Sequence, residues 1–248
     1  MTTHRPLDSS ILQASVAYDP LLLGEIVNHP TLPIGLICYY RLESDGSDAG
    51  KRGLDGTLVG SPTFVAGKIG NCISLNGSTQ YVNLGTDANF EMPLISVAAW
   101  AKLSVASGYK GIVTKRSNPA PHIQWALQTE GGLSKYTFCI QFSGTDRWVA
   151  STTSLDTNWH HLVGTYDGKT MKLFVDGVLE GENPMSMDMD SIPTMPIYIG
   201  ARATGTSPYT GFADPFGGLI DEVGIWRRAL TPEEVEALYN GNSGLPFS

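Results

Sequence analysis

The stretch "NWHHLVGTYDGKTMKLFVDG", residues 158–177, sets two adjacent histidines and a tryptophan in an apolar run closed by two Asp-Gly pairs. In an extended strand successive side chains point to opposite faces. Trp159, His161, Val163 and Thr165 therefore share one face, and His160, Leu162, Gly164 and Tyr166 the other. The two histidines cannot converge on one ion or one substrate atom. Beyond Asp167-Gly168, Met171, Leu173 and Val175 alternate with Lys172 and Phe174, and Asp176-Gly177 has the residues favoured in tight primed turns. The stretch holds no nucleophilic serine or cysteine and no HExxH spacing. It reads as paired hairpins that hold a sheet together.

The same pattern extends in both directions. "IGLICYYRL" (34–42) alternates, with Ile34, Leu36, Cys38, Tyr40 and Leu42 on one side. "NCISLN" (71–76) and "QYVNL" (80–84) flank Gly77 as a hairpin. "LISVAAWAKL" (94–103) is apolar on both parities and belongs at the centre of a sheet. "GIVTK" (111–115), "IQWALQ" (123–128), "YTFCIQF" (136–142), "RWVAST" (147–152), "PIYIGA" (196–201) and "GGLIDEVGIWRR" (217–228) read as further strands. About a dozen short strands without intervening helices predict an antiparallel sandwich or barrel. One helix is expected, in "LTPEEVEALYNG": Thr231 as N-cap, Pro232 at N1, Glu234 completing a capping box, Val235, Leu238 and Tyr239 as apolar stripe, Gly241 as stop.

Composition agrees. The chain has 248 residues, 42% of them hydrophobic and 16% charged, with 28 glycines and 15 prolines for many turns. One β-sandwich domain can be this long. The net charge of −8 repels phosphate backbones, which argues against a nucleic-acid partner. No run approaches the ~18 apolar residues of a membrane helix, so no membrane insertion is expected. "MTTHRPLDSS" lacks an apolar core, so no signal peptide is expected. Cys38, Cys72 and Cys139 lie in apolar stretches without metal spacing and read as buried free thiols.

Residues 1–33 stand apart as an arm interrupted by Pro6, Pro20, Pro30 and Pro33. Leu21, Leu22, Leu23, Ile26 and Val27 would leave a large apolar surface if the arm floated free. The arm is expected to pack on its own sandwich or on a neighbouring chain.

Taken in order, these segments resemble the laminin G-like domains of the concanavalin A-like lectin/glucanase superfamily. "WHHLVGTYDGKTMKLFVDGVL" is similar to the central signature, "GLICYYRLES" to the opening strand, and "DAGKRGLDGTLVGSPTFVAGKIGNCISLNGSTQYVNL" to the first loop and hairpin. "ISVAAWAKL", "PIYIGA" and "FGGLIDEVGIWRRALTPEEVEALYN" complete the series over residues 34–240. The resemblance implies a two-sheet antiparallel jelly-roll sandwich over 34–248 with one short C-terminal helix, behind an N-terminal arm. It makes Trp100, Trp159 and Trp226 the expected core anchors.

Glycosidases of this superfamily carry paired carboxylates on one strand, in E-x-D-x-x-E or E-x-D-x-E spacing, and the sequence has neither. Asp221 and Glu222 are adjacent and are expected on opposite faces; Asp188 and Asp190 share a parity but lie in a loop bracketed by prolines. No G-x-S-x-G elbow is present. The chain is therefore expected to be non-enzymatic. The resemblance implies a calcium ion held by a carboxylate on the closing strand, which is Asp221 here. The acidic pair that relatives carry in the first hairpin is replaced by Ser78-Thr79-Gln80. Sugar recognition in sandwiches rests on exposed aromatics, and the candidates are Trp148, Tyr209 and Phe212.

Two functions fit. One is a structural or adhesion protein on a phage virion surface, a head decoration, fibre or tail component. It would be made in the host cytoplasm, assemble as a homo-oligomer or with other virion subunits through residues 1–33, and contact cell-surface glycans. The other is a free-standing extracellular lectin with calcium dependence.

Overall fold

The computed structural model describes residues 31–50, 52–117, 123–207, 209 and 211–245. Leu21, Leu22, Leu23, Ile26 and Val27 lie outside the described residues. The strands in chain order are β1 (Leu36–Tyr40), β2 (Thr57–Val59), β3 (Thr63–Ala66), β4 (Asn71–Asn76), β5 (Tyr81–Gly85) and β6 (Ile95–Leu103). Then come β7 (Lys110–Arg116), β8 (Ile123–Glu130), β9 (Lys135–Phe142), β10 (Thr145–Ser154), β11 (Trp159–Tyr166) and β12 (Thr170–Val175). β13 (Val178–Pro184), β14 (Ile197–Ile199), β15 (Arg202–Thr204), β16 (Gly211–Ala213), β17 (Gly217–Trp226) and helix α1 (Pro232–Tyr239) complete the fold.

Two antiparallel sheets face each other. The first runs β13-β12-β11-β6-β17-β4-β3 and the second β10-β9-β8-β7-β14-β5-β2. β1 pairs with the upper half of β17 where β4 pairs with the lower half. The core lies between the sheets, with Leu162, Tyr166, Leu173, Val97, Ile220 and Ile225 meeting Trp125, Leu127, Phe138, Ile140 and Val113. This is the jelly-roll sandwich that alternation requires, since each strand contributes every second residue to the interior.

The opening stretch folds as read. β11 pairs with β12 and β12 with β13. Asp176 and Gly177 both take positive φ, 51° and 80°, as a primed two-residue turn demands. The α1 capping box between Thr231 and Glu234 is present, and the left-handed cap falls on Asn240, one residue before Gly241. The three cysteines are free and buried.

Three details depart from simple alternation. A bulge between Leu36 and Cys38 shifts the parity of β1, so Cys38 and Tyr40 enter the core while Ile34 is 61% exposed. A second bulge follows Asp221, with Glu222 at φ 49°. Asp221, opposite Trp100, and Glu222, bonded to the Tyr39 hydroxyl, therefore lie on the same outer face rather than on opposite ones. Of the expected anchors, Trp226 and Trp100 are buried beneath α1 and the C-terminal segment and Trp159 is half-buried, whereas Trp125, not among them, fills the space between the sheets.

Candidate functional site

The outer face of the second sheet is divided by what covers it. Hairpin β15–β16 folds over β14 and β5, where Tyr81 and Tyr198 stack at 4.6 Å and Phe212 lies 4.9 Å from Tyr81. Tyr209 joins that cluster as a half-buried packing residue. Two contacts lock the hairpin to β7: Thr114 Oγ1 donates to the Ala201 carbonyl at 2.8 Å, and Gly111 N donates to the Asp214 carbonyl at 3.0 Å. The remaining outer face, over β7 to β10, stays open as a groove.

The strands themselves explain the groove. In β8 and β9 the residues alternating with the core are small or neutral polar: Gln124, Ala126 and Gln128, then Thr137, Cys139 and Gln141. Along one cross-strand row Trp148 faces Cys139, Cys139 faces Ala126, and Ala126 faces Thr114. Small side chains in the middle of a row make a trough, and the large ones at its margins make the walls. Three inter-strand steps give it a span of roughly 14 Å.

The cavity has a volume of about 530 Å³. Trp148 forms one wall, 55% exposed on edge strand β10; Tyr109 and Leu133 stand exposed at the other margin. Polar groups converge between them. Arg116 donates from a terminal guanidinium nitrogen to Gln128 Oε1 at 2.7 Å, and Gln141 Nε2 donates to Asp146 Oδ1 at 3.0 Å. Nearness to the Glu130 carboxylate raises the pKa of Tyr109, and the Gly132 amide donates to Glu130 Oε1 at 3.3 Å. Arg116 Nε is buried and has no acceptor among the described residues. An apolar wall with a few convergent polar groups is the usual form of a small-molecule site.

The candidates from sequence therefore separate. Trp148 lines the groove, whereas Tyr209 and Phe212 pack on the Tyr81–Tyr198 pair beyond its edge. Tyr109, Arg116, Gln128, Glu130, Thr137 and Asp146 were not singled out by the sequence reading, although Asp146 adjoins Trp148. For Gln128, Glu130 and Thr137 the signal was the polar alternation in "IQWALQTE" and "KYTFCIQF", which marks an outer face without telling which strands cover it; Tyr109, Arg116 and Asp146 carried none.

Asp221 lies in a different place. It is fully buried on the outer face of the first sheet, and its Oδ2 accepts the Lys68 and Ile69 amides at 2.9 and 3.0 Å. Burial raises its pKa to about 7 and that of Glu222 to about 8, with the Glu43 carboxylate adding to the first shift and Asp221 to the second. Only Oδ1 is unpartnered. Glu43, the next carboxylate, spends Oε2 on the Asn71 amide at 2.7 Å. Calcium takes six to eight oxygens. The amides around Asp221 offer hydrogens instead, and among the described residues no group of three or more His, Cys, Asp or Glu is placed to hold a metal. The side chains here do not make a calcium shell.

The histidines are separate too. His160 Nδ1 lies 2.7 Å from Asp176 and Nε2 3.1 Å from Asp156, while His161 is buried against Trp100 with a ring separation of 5.1 Å. Neither reaches the groove.

A laminin G-like family model, described as the concanavalin A-like lectin/glucanases superfamily, matches residues 76–236, well over half the chain. Among solved structures, domain 4 of the extracellular GH43 arabinanase AbnA from Geobacillus stearothermophilus, in complex with arabinotriose, superimposes with a TM-score of 0.63 at 24% identity. That match covers 81% of this chain and 96% of the other. The binding domain of Paraclostridial Mosquitocidal Protein 1 gives a TM-score of 0.65 at 15% identity, covering 84% of this chain and 52% of that one. The binding domain of botulinum neurotoxin DC, in complex with SialylT, gives 0.61 at 12%, covering 85% and 52%. This chain thus spans about half the length of those toxin domains. At these identities the likeness establishes the fold. No curated protein sequence matches the chain.

Proposed function

As the chain belongs to the concanavalin A-like lectin/glucanase superfamily, we propose that it is a non-catalytic carbohydrate-binding module whose site is the β7–β10 groove. One observation carries the reading: exposed Trp148 beside a trough of small side chains ringed by Arg116, Gln128, Glu130 and Asp146. A pyranose or furanose ring presents an apolar C–H face and a rim of hydroxyls. The indole takes the face and the polar ring takes the hydroxyls. The bound arabinotriose of the arabinanase domain supports a sugar ligand on this fold.

The placement of the charged groups supports the non-catalytic reading. A glycosidase needs one carboxylic acid held protonated beside a second carboxylate. The carboxyls that burial raises, Asp221 and Glu222, sit on the outer face of the first sheet, away from the groove. In the groove, Glu130 accepts the Gly132 amide and Asp146 accepts from Gln141.

The test is titration calorimetry against neutral arabino-, xylo- and gluco-oligosaccharides, with and without a calcium chelator. Trp148→Ala is expected to weaken the best ligand at least about tenfold, or ~1.4 kcal/mol, and the chelator to change nothing. Unchanged affinity in Trp148→Ala would sink the groove as the site.

The virion-surface reading concerns what carries the module. We propose that residues 1–33 dock the sandwich on a larger particle and that the groove faces outward from it. The supporting geometry is at both ends of the described residues. Leu32 is buried, its carbonyl accepting the Trp226 indole N–H at 2.7 Å, and Leu245 packs in the same cluster on the outer face of the first sheet. Leu32 and Leu245 are thus on the sheet opposite the one that carries Trp148. Light scattering should find a defined oligomer for the full chain and a monomer for residues 31–248. Monomers in both cases would remove self-assembly through the arm.

A further inference from the structure

Resting on the groove as the carbohydrate site, we infer that it selects an uncharged glycan, with Asp146 and Glu130 as the residues that turn acidic sugars away. The groove floor brings three fixed charges together. They are the guanidinium of Arg116 and the carboxylates of Asp146 and Glu130. All three charged side chains line the cavity with Cys139 and Trp148. Their formal sum is one positive and two negative charges, a net −1.

Hydrogen-bond chemistry sorts the possible ligands. The Arg116 guanidinium lines the cavity beside Gln128, and a guanidinium, which can only donate, favours a ligand that supplies an oxygen. That oxygen could belong to a sugar hydroxyl, a ring ether or a sugar carboxylate. Asp146 and Glu130 are acceptors only, so they need a ligand that donates. A hydroxyl both donates and accepts, and neighbouring hydroxyls can serve a carboxylate and a guanidinium at once. A sugar carboxylate offers acceptors only. It would satisfy Arg116 but stand in the field of two like charges, and repulsion built into a site is an established source of specificity. Gln141 holds Asp146 at 3.0 Å and the Gly132 amide donates to Glu130 Oε1 at 3.3 Å, so neither carboxylate is free to swing aside without breaking a bond.

The experiment compares three proteins against two ligand classes by titration calorimetry, with thermal melts to confirm that each is folded. The proteins are the full chain, Trp148→Ala, and Asp146→Asn/Glu130→Gln. The ligands are the neutral oligosaccharides of the first panel and a set of sialylated and uronic-acid oligosaccharides. Wild type should bind the best neutral ligand at least tenfold more tightly than any acidic one, and the double variant should narrow that gap at least tenfold, with the larger change on the acidic side. Trp148→Ala should lose both. Tighter wild-type binding of an acidic glycan that Trp148→Ala abolishes would overturn the selectivity and keep the groove. A gap unmoved by the double variant would also overturn it. Binding that survives Trp148→Ala, or no binding in either class, would remove the groove itself and the selectivity with it.

Discussion

Both ring nitrogens of His160 face carboxylates, and a carboxylate can only accept. The imidazole must then carry both hydrogens. Burial alone would lower its pKa, but Asp176 and Asp156 outweigh burial and raise it. Because the folded value lies above the unfolded one, this stabilisation is complete below the unfolded pKa and is lost as pH rises through the folded value. His160→Gln should destabilise by roughly 2 kcal/mol at pH 6, in the range for hydrogen bonds to charged groups. The deficit should shrink by pH 9, as urea denaturation at both values would show. An equal deficit at both would mean that packing on Tyr136, not charge, is what His160 supplies.

Asp221 argues the same sign from an acid. Its pKa is raised to about 7, so its contribution is present below the unfolded value near 4 and is lost as pH climbs through 7. Asp221→Asn keeps an acceptor for the Lys68 and Ile69 amides and removes the buried charge. The melting temperature of the variant relative to wild type should therefore rise between pH 5 and pH 9. A relative melting temperature that does not change with pH would contradict the assignment.

Elements are held by local devices that the sequence announces and by packing that it does not. Glu234 illustrates the first. It completes the cap by accepting Thr231 N at 2.9 Å, receives the Arg228 fork at 2.6 and 2.7 Å, and bonds the Thr31 hydroxyl. These contacts hold its carboxyl at about 2 against the upward push of burial. Glu234→Ala should cost about 3 kcal/mol because it leaves Arg228 unpaired, against about 1 for Thr231→Ala, which removes only the cap. Comparable losses in chemical denaturation would show that the ion pair adds little. Gly164 illustrates the second. A Cβ built there would lie 2.3 Å from the Phe138 ring across the sandwich. Gly164→Ala should lose about 1–3 kcal/mol through overpacking, although β11 reads as an ordinary strand position there. Stability equal to wild type would mean the sheets can separate at little cost.

At the scale of the whole molecule, opposing titrations set a stability optimum. His161 is buried neutral with its pKa lowered to about 3, so its contribution is present above its unfolded value near 6.5 and falls away as pH drops toward 3. His160, Asp221 and Glu222 lose theirs on the alkaline side. A bell-shaped dependence of melting temperature is expected, highest between about pH 4 and 5, because above that the two carboxyls lose more than His161 gains, and a monotonic profile would show that one set dominates. The sandwich also reaches back to its first described residues. Leu32 is fully buried under Trp226, so removing residues 1–33 should lower the melting temperature further than removing 1–30 does.

Alternation and turn chemistry by themselves determined the run of antiparallel strands, the hairpins around Asp167-Gly168 and Asp176-Gly177, and the capped helix, because each depends on neighbours within a few residues, whereas the choice of sandwich over barrel came from the family resemblance. The bulges at Leu36–Cys38 and Asp221–Glu222 were not legible, because register is set by the partner strand and not by the strand that bends. Nor was the groove. Trp148, Tyr209 and Phe212 are equivalent as exposed-aromatic candidates in a linear sequence, and only the folding of β15–β16 over Tyr81 and Tyr198 buries two of them while leaving Trp148 open. Which outer face stays uncovered depends on contacts between segments dozens of residues apart, so the tertiary structure alone decided where this protein has room for a ligand.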